Sequence, residues 1–152
     1  MRWVASLLCA ITMLAACTGE STPEGPGVGT ITFGGGASLE VRIADDDEER
    51  RRGLMGVPSL GADEGMVFEF PEPTVGSFWM KDTLIPLSIA FIDERDRVVT
   101  VLEMEPCTEE PCPRYSPDGP YVLAVEANAG WFDEHSVEEG DRMEDFDGPA
   151  ER

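Results

Sequence analysis

The stretch with the most chemical character is Phe78-Trp79-Met80-Lys81-Asp82-Thr83. Lys81 is the only lysine in the chain, and every other basic residue is Arg. A compact ammonium differs from a planar guanidinium in hydration and in how readily it titrates, so this substitution of type points to a specific role. Trp79 and Met80 beside it place the charge against a large apolar surface. On a strand, Lys81 and Thr83 share one face and Met80 and Asp82 the other. These residues suggest a pocket around Trp79, Lys81 and Thr83 that binds a small ligand or a partner protein. The plainer alternative is that Trp79 and Met80 are core and the Lys81 stem merely snorkels along them.

A second focus is Glu126, an acid within an otherwise apolar run, where burial raises a carboxyl pKa. With Asp82 and Asp141 it offers the paired carboxylates of glycan hydrolysis, although 31 acids make such a pair easy to find by accident. A Ser or Cys nucleophile needs a base, and the single imidazole, His135, lies in Trp131-Phe132-Asp133-Glu134-His135, where it reads as a helix-surface residue. No nucleophile elbow or phosphate-binding loop is present. No catalytic set stands out, and a non-catalytic binding module is the preferred expectation.

Arg50, Arg51 and Arg52 pose a similar choice between an anion site, with Arg52 near the pocket, and a solvated helix end balancing its own acids. Met55, Met66, Met80, Met104 and Met143 could supply soft ligands to cuprous ion, but methionine more often fills cores. No twelve-residue calcium loop is found. Cys107 and Cys112 lack further zinc ligands nearby, and their spacing is not that of a catalytic dithiol. In an exported chain this spacing reads as a structural disulfide, whose loop-closure contribution is roughly 2 kcal/mol. No metal and no cofactor are expected.

These residues sit in a chain of 152 residues, enough for one domain. Against 11 Lys and Arg stand 31 Asp and Glu, giving a net charge of −20, and a surface so acidic repels nucleic-acid phosphates. Behind Arg2, residues Trp3 to Ala16 form an apolar run too short to cross a bilayer as a helix, which reads as an export signal over 1–16. It ends in Leu14-Ala15-Ala16-Cys17, which resembles the lipobox of bacterial lipoproteins and implies cleavage before Cys17 and acylation of that cysteine. Several acyl chains would hold the protein stably at the membrane. Loss of Arg2 with the signal takes the net charge to −21, so such an anchor works against repulsion from anionic lipid. Residues 17–29, rich in Gly, Pro, Ser and Thr, read as a flexible tether, 30–147 as the domain and 148–152 as a tail. The expected location is the extracytoplasmic side of a bacterial cell envelope.

Within the domain, period-two alternation marks short strands. Leu39, Val41 and Ile43 share a face, as do Met66, Phe68 and Phe70, then Leu87, Ile89 and Phe91, then Val99, Val101 and Glu103. Tyr121, Leu123 and Val125 form a fifth set, and apolar Val122 and Ala124 between them make that strand two-sided and central. Asp93 to Arg97 suits a hairpin turn. A helix is signalled from Asp45 as N-cap, with Glu48 completing a capping box, pairs Asp46–Arg50 and Glu48–Arg52, and Gly53 as its end. A second short helix is expected over Trp131–His135. The fold class is mainly β, a barrel-like single-domain sheet with one or two short helices.

The succession Arg52-Gly53-Leu54-Met55-Gly56, Glu64-Gly65-Met66-Val67-Phe68 and Phe78-Trp79-Met80-Lys81-Asp82-Thr83-Leu84-Ile85-Pro86-Leu87 resembles domain-of-unknown-function family 192. Phe91-Ile92-Asp93, Tyr115, Val125-Glu126-Ala127-Asn128-Ala129-Gly130-Trp131 and Gly140-Asp141 continue the resemblance in order, from about Leu39 to Met143. It implies a small, mostly β domain, frequently exported or membrane-tethered, with no agreed activity. The family usually has Asn where Asp82 stands and Asp where Ser88 stands, so a site that uses either group is altered or relocated here.

Overall fold

The computed structural model describes residues 26–148. The stretch read as an export signal, Cys17 with its expected acylation, the rest of the expected tether up to residue 25 and the end of the tail lie outside the described residues. The elements run β1 (Gly27–Phe33), β2 (Ser38–Ala44), α1 (Asp47–Arg52), β3 (Glu64–Thr74), β4 (Leu87–Ile92), β5 (Val98–Met104), β6 (Tyr121–Asn128), α2 (Trp131–Glu134) and β7 (Met143–Asp147). The strand β1 begins within the stretch read as tether, because Gly27, Val28 and Gly29 pair with Ile43, Arg42 and Val41.

All strands join one sheet in the order β5-β4-β6-β3-β2-β1-β7. Every pairing is antiparallel except β2 with β3. A parallel pair needs a long crossover, and residues 45–63, carrying α1, supply it. The far edges approach through a bridge between Arg97 and Arg142, flanked by hydrogen bonds Val98 N to Asp141 O and Met143 N to Asp96 O. The sheet therefore curls into a barrel-like form and covers much of the edge that an open sheet would expose.

The sheet buries both faces. One holds Ile31, Phe33, Leu39, Val41, Ile43, Val125 and Phe132; the other holds Met66, Phe68, Met80, Leu87, Ile89, Phe91 and Tyr121. The central position expected for β6 is borne out, since it lies between β4 and β3. All of β4 is buried, and its hairpin to β5 closes through Asp93 as expected. In β5 the deeply buried residues are Val98, Thr100 and Met104, with Val99 and Val101 only partly covered. A bulge at Phe91/Ile92 shifts the register there and breaks the simple alternation.

The helix α1 forms where the sequence signals it, one residue later. Asp46, not Asp45, is the N-cap, and its carboxylate accepts from Glu48 N and Glu49 N, each at 2.8 Å. Moving the cap re-pairs the arginines: Arg50 meets Asp47, while Arg52 meets Glu48 as expected, both at 2.7 Å. Gly53 ends the helix with φ +47, and a Cβ there would press on the Phe68 ring at 3.3 Å. This close approach lays the last turn of α1 on the sheet. Gly65 makes a tighter one, since a Cβ would lie 2.2 Å from the Glu126 carbonyl oxygen.

Candidate functional site

Residues 78–83 are not a strand. Phe78 and Lys81 make only isolated bridges, to Tyr115 and Cys107, and Asp82 takes a left-handed φ of +55. Asn and Asp tolerate that conformation best, which accounts for the residue type at this position. The kink corrects the expected alternation: Met80 and Thr83 turn inward, while Lys81 is half-exposed and Asp82 exposed. Backbone bonds Asp82 N to Cys107 O and Cys107 N to Met80 O hold the segment against the loop closed by the Cys107–Cys112 disulfide, whose Cα atoms are 5.7 Å apart. The same loop presents Glu110, which binds Lys81 Nζ at 2.7 Å and holds its pKa above the usual lysine value.

Two abutting cavities follow from this arrangement. The outer one, about 410 Å³ and open, lies between the end of α1 (Glu48, Arg51, Arg52), Met55 and the segment Trp79, Lys81 and Asp82. The inner one holds about 30 Å³ and is floored by Thr83 and Glu126. Arg51, Arg52, Met55 and Trp79 line both. The structure thus gathers all five residues expected to bind ligand (Trp79, Lys81, Thr83, Arg52 and Glu126), but Lys81 belongs to the outer space and Thr83 and Glu126 to the inner. Arg51 and Met55 complete the walls. Sequence reasoning offered Arg51 only as one of three arginines that form either an anion site or a balanced helix end, and the latter holds for Arg50 and Arg52.

Glu126 is 4% exposed and lies on the sheet face that carries Met66 and Ile89, its neighbours across β3 and β4. Its carboxyl makes no hydrogen bond or ion pair with any described residue, and burial alone pushes its pKa up to about 8. Arg50 is turned elsewhere: it bonds the Glu69 carbonyl at 2.8 Å and sits 5.5 Å from the Phe70 ring, stapling α1 to β3. Above the site, Arg114 lies 4.3 Å and Lys81 Nζ 5.5 Å from the Trp79 ring. Arg51, Arg52, Lys81 and Arg114 are four of the chain's 11 basic residues and surround one indole, with Glu48, Asp82 and Glu110 among them.

The remaining candidates are placed elsewhere. Asp141 joins neither cavity; its carboxylate accepts from Glu138 N at 2.8 Å and shapes the turn before β7. His135 stacks on Trp131 at 4.2 Å and caps the end of α2. Met66, Met80 and Met104 are buried in one core cluster, Met143 in the other, and Met55 lines the outer cavity. Asp45, Asp46 and Glu49 cluster at the start of α1, but the Asp46 carboxylate is committed to capping. A larger open groove of about 580 Å³ runs along β1, β2 and the start of β3, lined mostly by glycine and charged residues. Ser88 is fully buried, donates to Glu103, and accepts from Gly130 N at 2.7 Å. Glu103, opposite it on β5, also accepts from Gly130 N. The carboxylate expected at position 88 is thus supplied by the neighbouring strand, on the sheet face away from Glu126, where it anchors the start of α2.

The family model DUF192, described as "Uncharacterized ACR", matches residues 30–144. The chain belongs to this family. Two solved structures are similar to this DUF192 chain. One, from Sinorhizobium meliloti 1021 and provisionally described as a transcription regulator, is 29% identical with a TM-score of 0.68, covering 80% of this chain and 92% of that one. The other, a protein of unknown function from Novosphingobium aromaticivorans DSM 12444, is 30% identical with a TM-score of 0.69, covering 77% and 83%. No curated protein matches the chain significantly.

Proposed function

We propose that this DUF192 domain binds a small ligand in the paired cavities around Trp79 and performs no reaction on it. The observation that carries the reading is Glu126. Its nearly buried carboxyl, with a pKa raised by burial, reaches solvent only at the floor of the inner cavity, and groups held in that state concentrate at functional sites. Here it floors a small cavity that continues into an open one walled by an aromatic ring and several cations. Glycan hydrolysis needs two carboxylates flanking a sugar, whereas the inner cavity floored by Glu126 holds only about 30 Å³ and Asp82 and Glu48 stand on the outer one. A role in binding nucleic acid, as the provisional description of the Sinorhizobium relative would suggest, runs against a net charge of −20.

The same proposal places the domain outside the cytosol on lipid attached to Cys17. The lipobox-like Leu14-Ala15-Ala16-Cys17 and the disulfide, which persists in oxidising compartments, support that placement. In the source cell, Cys17→Ser is expected to move the protein from the membrane to the soluble fraction. Unchanged partitioning contradicts the anchor.

The binding claim is tested by purifying the protein from its own cells, unfolding it, and identifying released small molecules by mass spectrometry. A molecule released by the parent and missing from a folded Trp79→Ala variant supports the proposal. Identical release from both refutes it.

A further inference from the structure

We infer that the pocket selects a small organic oxyanion, held at its mouth by Arg51, with a flat apolar body against Trp79 and Met55 and one oxygen-bearing tip reaching Thr83 and Glu126. This rests on the ligand-binding reading and specifies the ligand's chemistry. Three features of the site set the three parts of the ligand.

The mouth comes first. Arg50, Arg52 and Lys81 each have a carboxylate partner, in Asp47, Glu48 and Glu110, at 2.7 Å. Arg51 makes no ion pair with any described residue, yet it lines both cavities. A guanidinium presents a planar fork that fits carboxylate or phosphate oxygens in pairs. With those three charges matched, and with Asp82 also on the outer wall, Arg51 is the cation left at the mouth to meet an anion.

The walls come next. The outer cavity exposes mainly apolar surface from Met55 and Trp79 between its charged edges, which suits a flat carbon body. The floor is selective by size and by chemistry. About 30 Å³ corresponds to roughly one water molecule, so only a single small group enters. Two polar side chains await it. The Thr83 hydroxyl lies 3.5 Å from the Lys81 carbonyl, too long for a good bond, and so keeps its hydrogen-bonding capacity. Glu126 retains its proton at neutral pH and can donate it in a hydrogen bond to a ligand oxygen. Around Glu126, β3 and β4 offer apolar Met66, Phe68 and Ile89; of the α1 arginines on its cavity Arg50 and Arg52 are matched by acids and Arg51 is not, and burial is the cause that sets the raised pKa.

Calorimetric titration of the full-length protein with 4-hydroxybenzoate, 4-hydroxyphenyl phosphate, 4-hydroxybenzamide and 4-hydroxybenzylamine tests this directly. The better anion is expected to bind about tenfold more tightly than the neutral amide, with the amine weakest, and the two anions show whether carboxylate or phosphate is preferred. Arg51→Gln should abolish that preference while leaving the amide unaffected. Benzoate, lacking the tip, should bind more weakly than 4-hydroxybenzoate to the parent and to Glu126→Gln, but equally to Glu126→Leu. If the amide or amine binds as tightly as both anions, or if the anion preference survives Arg51→Gln, the inference is overturned while a Trp79-dependent pocket stands. If none of the four binds, or binding is unchanged in Trp79→Ala, the ligand-binding reading falls with it.

Discussion

Replacing Glu126 by Gln removes the charge that burial penalises while keeping the side chain's shape. In the folded protein this carboxyl holds its proton up to about pH 8, whereas an ordinary glutamate releases it near 4.5. The folded state therefore binds one proton more than the unfolded chain between those values, and stability falls as pH rises through that window. At about 1.4 kcal/mol per pH unit, the parent loses roughly 3 kcal/mol between its acid plateau and pH 7, and at most about 5 kcal/mol by the upper end. Glu126→Gln has no proton to lose and escapes this decline. Its own buried amide shifts stability by a constant at every pH, so the difference between the two proteins isolates the titration. Urea unfolding of both across the range from about pH 4 to about pH 9 is the assay. The variant's advantage should widen steadily through the window and level off on either side of it. A difference that stays constant with pH would refute the reasoning, because it means the carboxyl is solvated and the cavity it floors is not as described.

Gly65→Ala forces a Cβ to within 2.2 Å of the Glu126 carbonyl, so β3 and β6 must part locally; thermal unfolding should show a loss of several kcal/mol, and a near-neutral result would show that the strands are spaced more widely. Replacing Cys107 and Cys112 together by Ser opens the loop that carries Glu110. This should lower stability by about 2 kcal/mol in denaturant unfolding and weaken binding at the outer cavity; unchanged stability would contradict the staple. Ser88→Ala removes the hydroxyl between Glu103 and Gly130 N, with an expected cost of about 1–3 kcal/mol and faster amide exchange at α2. An equal effect spread over the whole domain would argue against a local anchor.

The parts of the fold that are amphipathic in a simple way could be read in advance. The sets headed by Leu39, Met66 and Leu87 are strand faces, β6 is central, and α1 starts and stops within a residue of its signals. The strands β1 and β7 escaped notice for physical reasons. β1 carries glycines at Gly27 and Gly29, and in β7 only Met143 is buried among acids and the half-covered Phe146. β1 pairs with β2 across the Gly34–Gly36 turn and β7 then pairs with β1, but glycines and acids leave neither strand a local period. At the site, the residue types around Trp79 and Glu126 identified the right neighbourhood. The division between inner and outer cavities depends on the left-handed turn at Asp82, which reverses the side-chain alternation that a strand would impose. The freedom of Arg51 depends on which acids its neighbours choose, and that was decided by a one-residue shift of the helix cap.

The most direct test of the central claim is a crystal structure of the protein grown with 4-hydroxybenzoate. The account predicts the carboxylate at Arg51, the ring against Trp79 and the hydroxyl directed to Thr83 and Glu126. Density for the ligand in the groove along β1 and β2, with the Trp79 cavities holding only water, would contradict it.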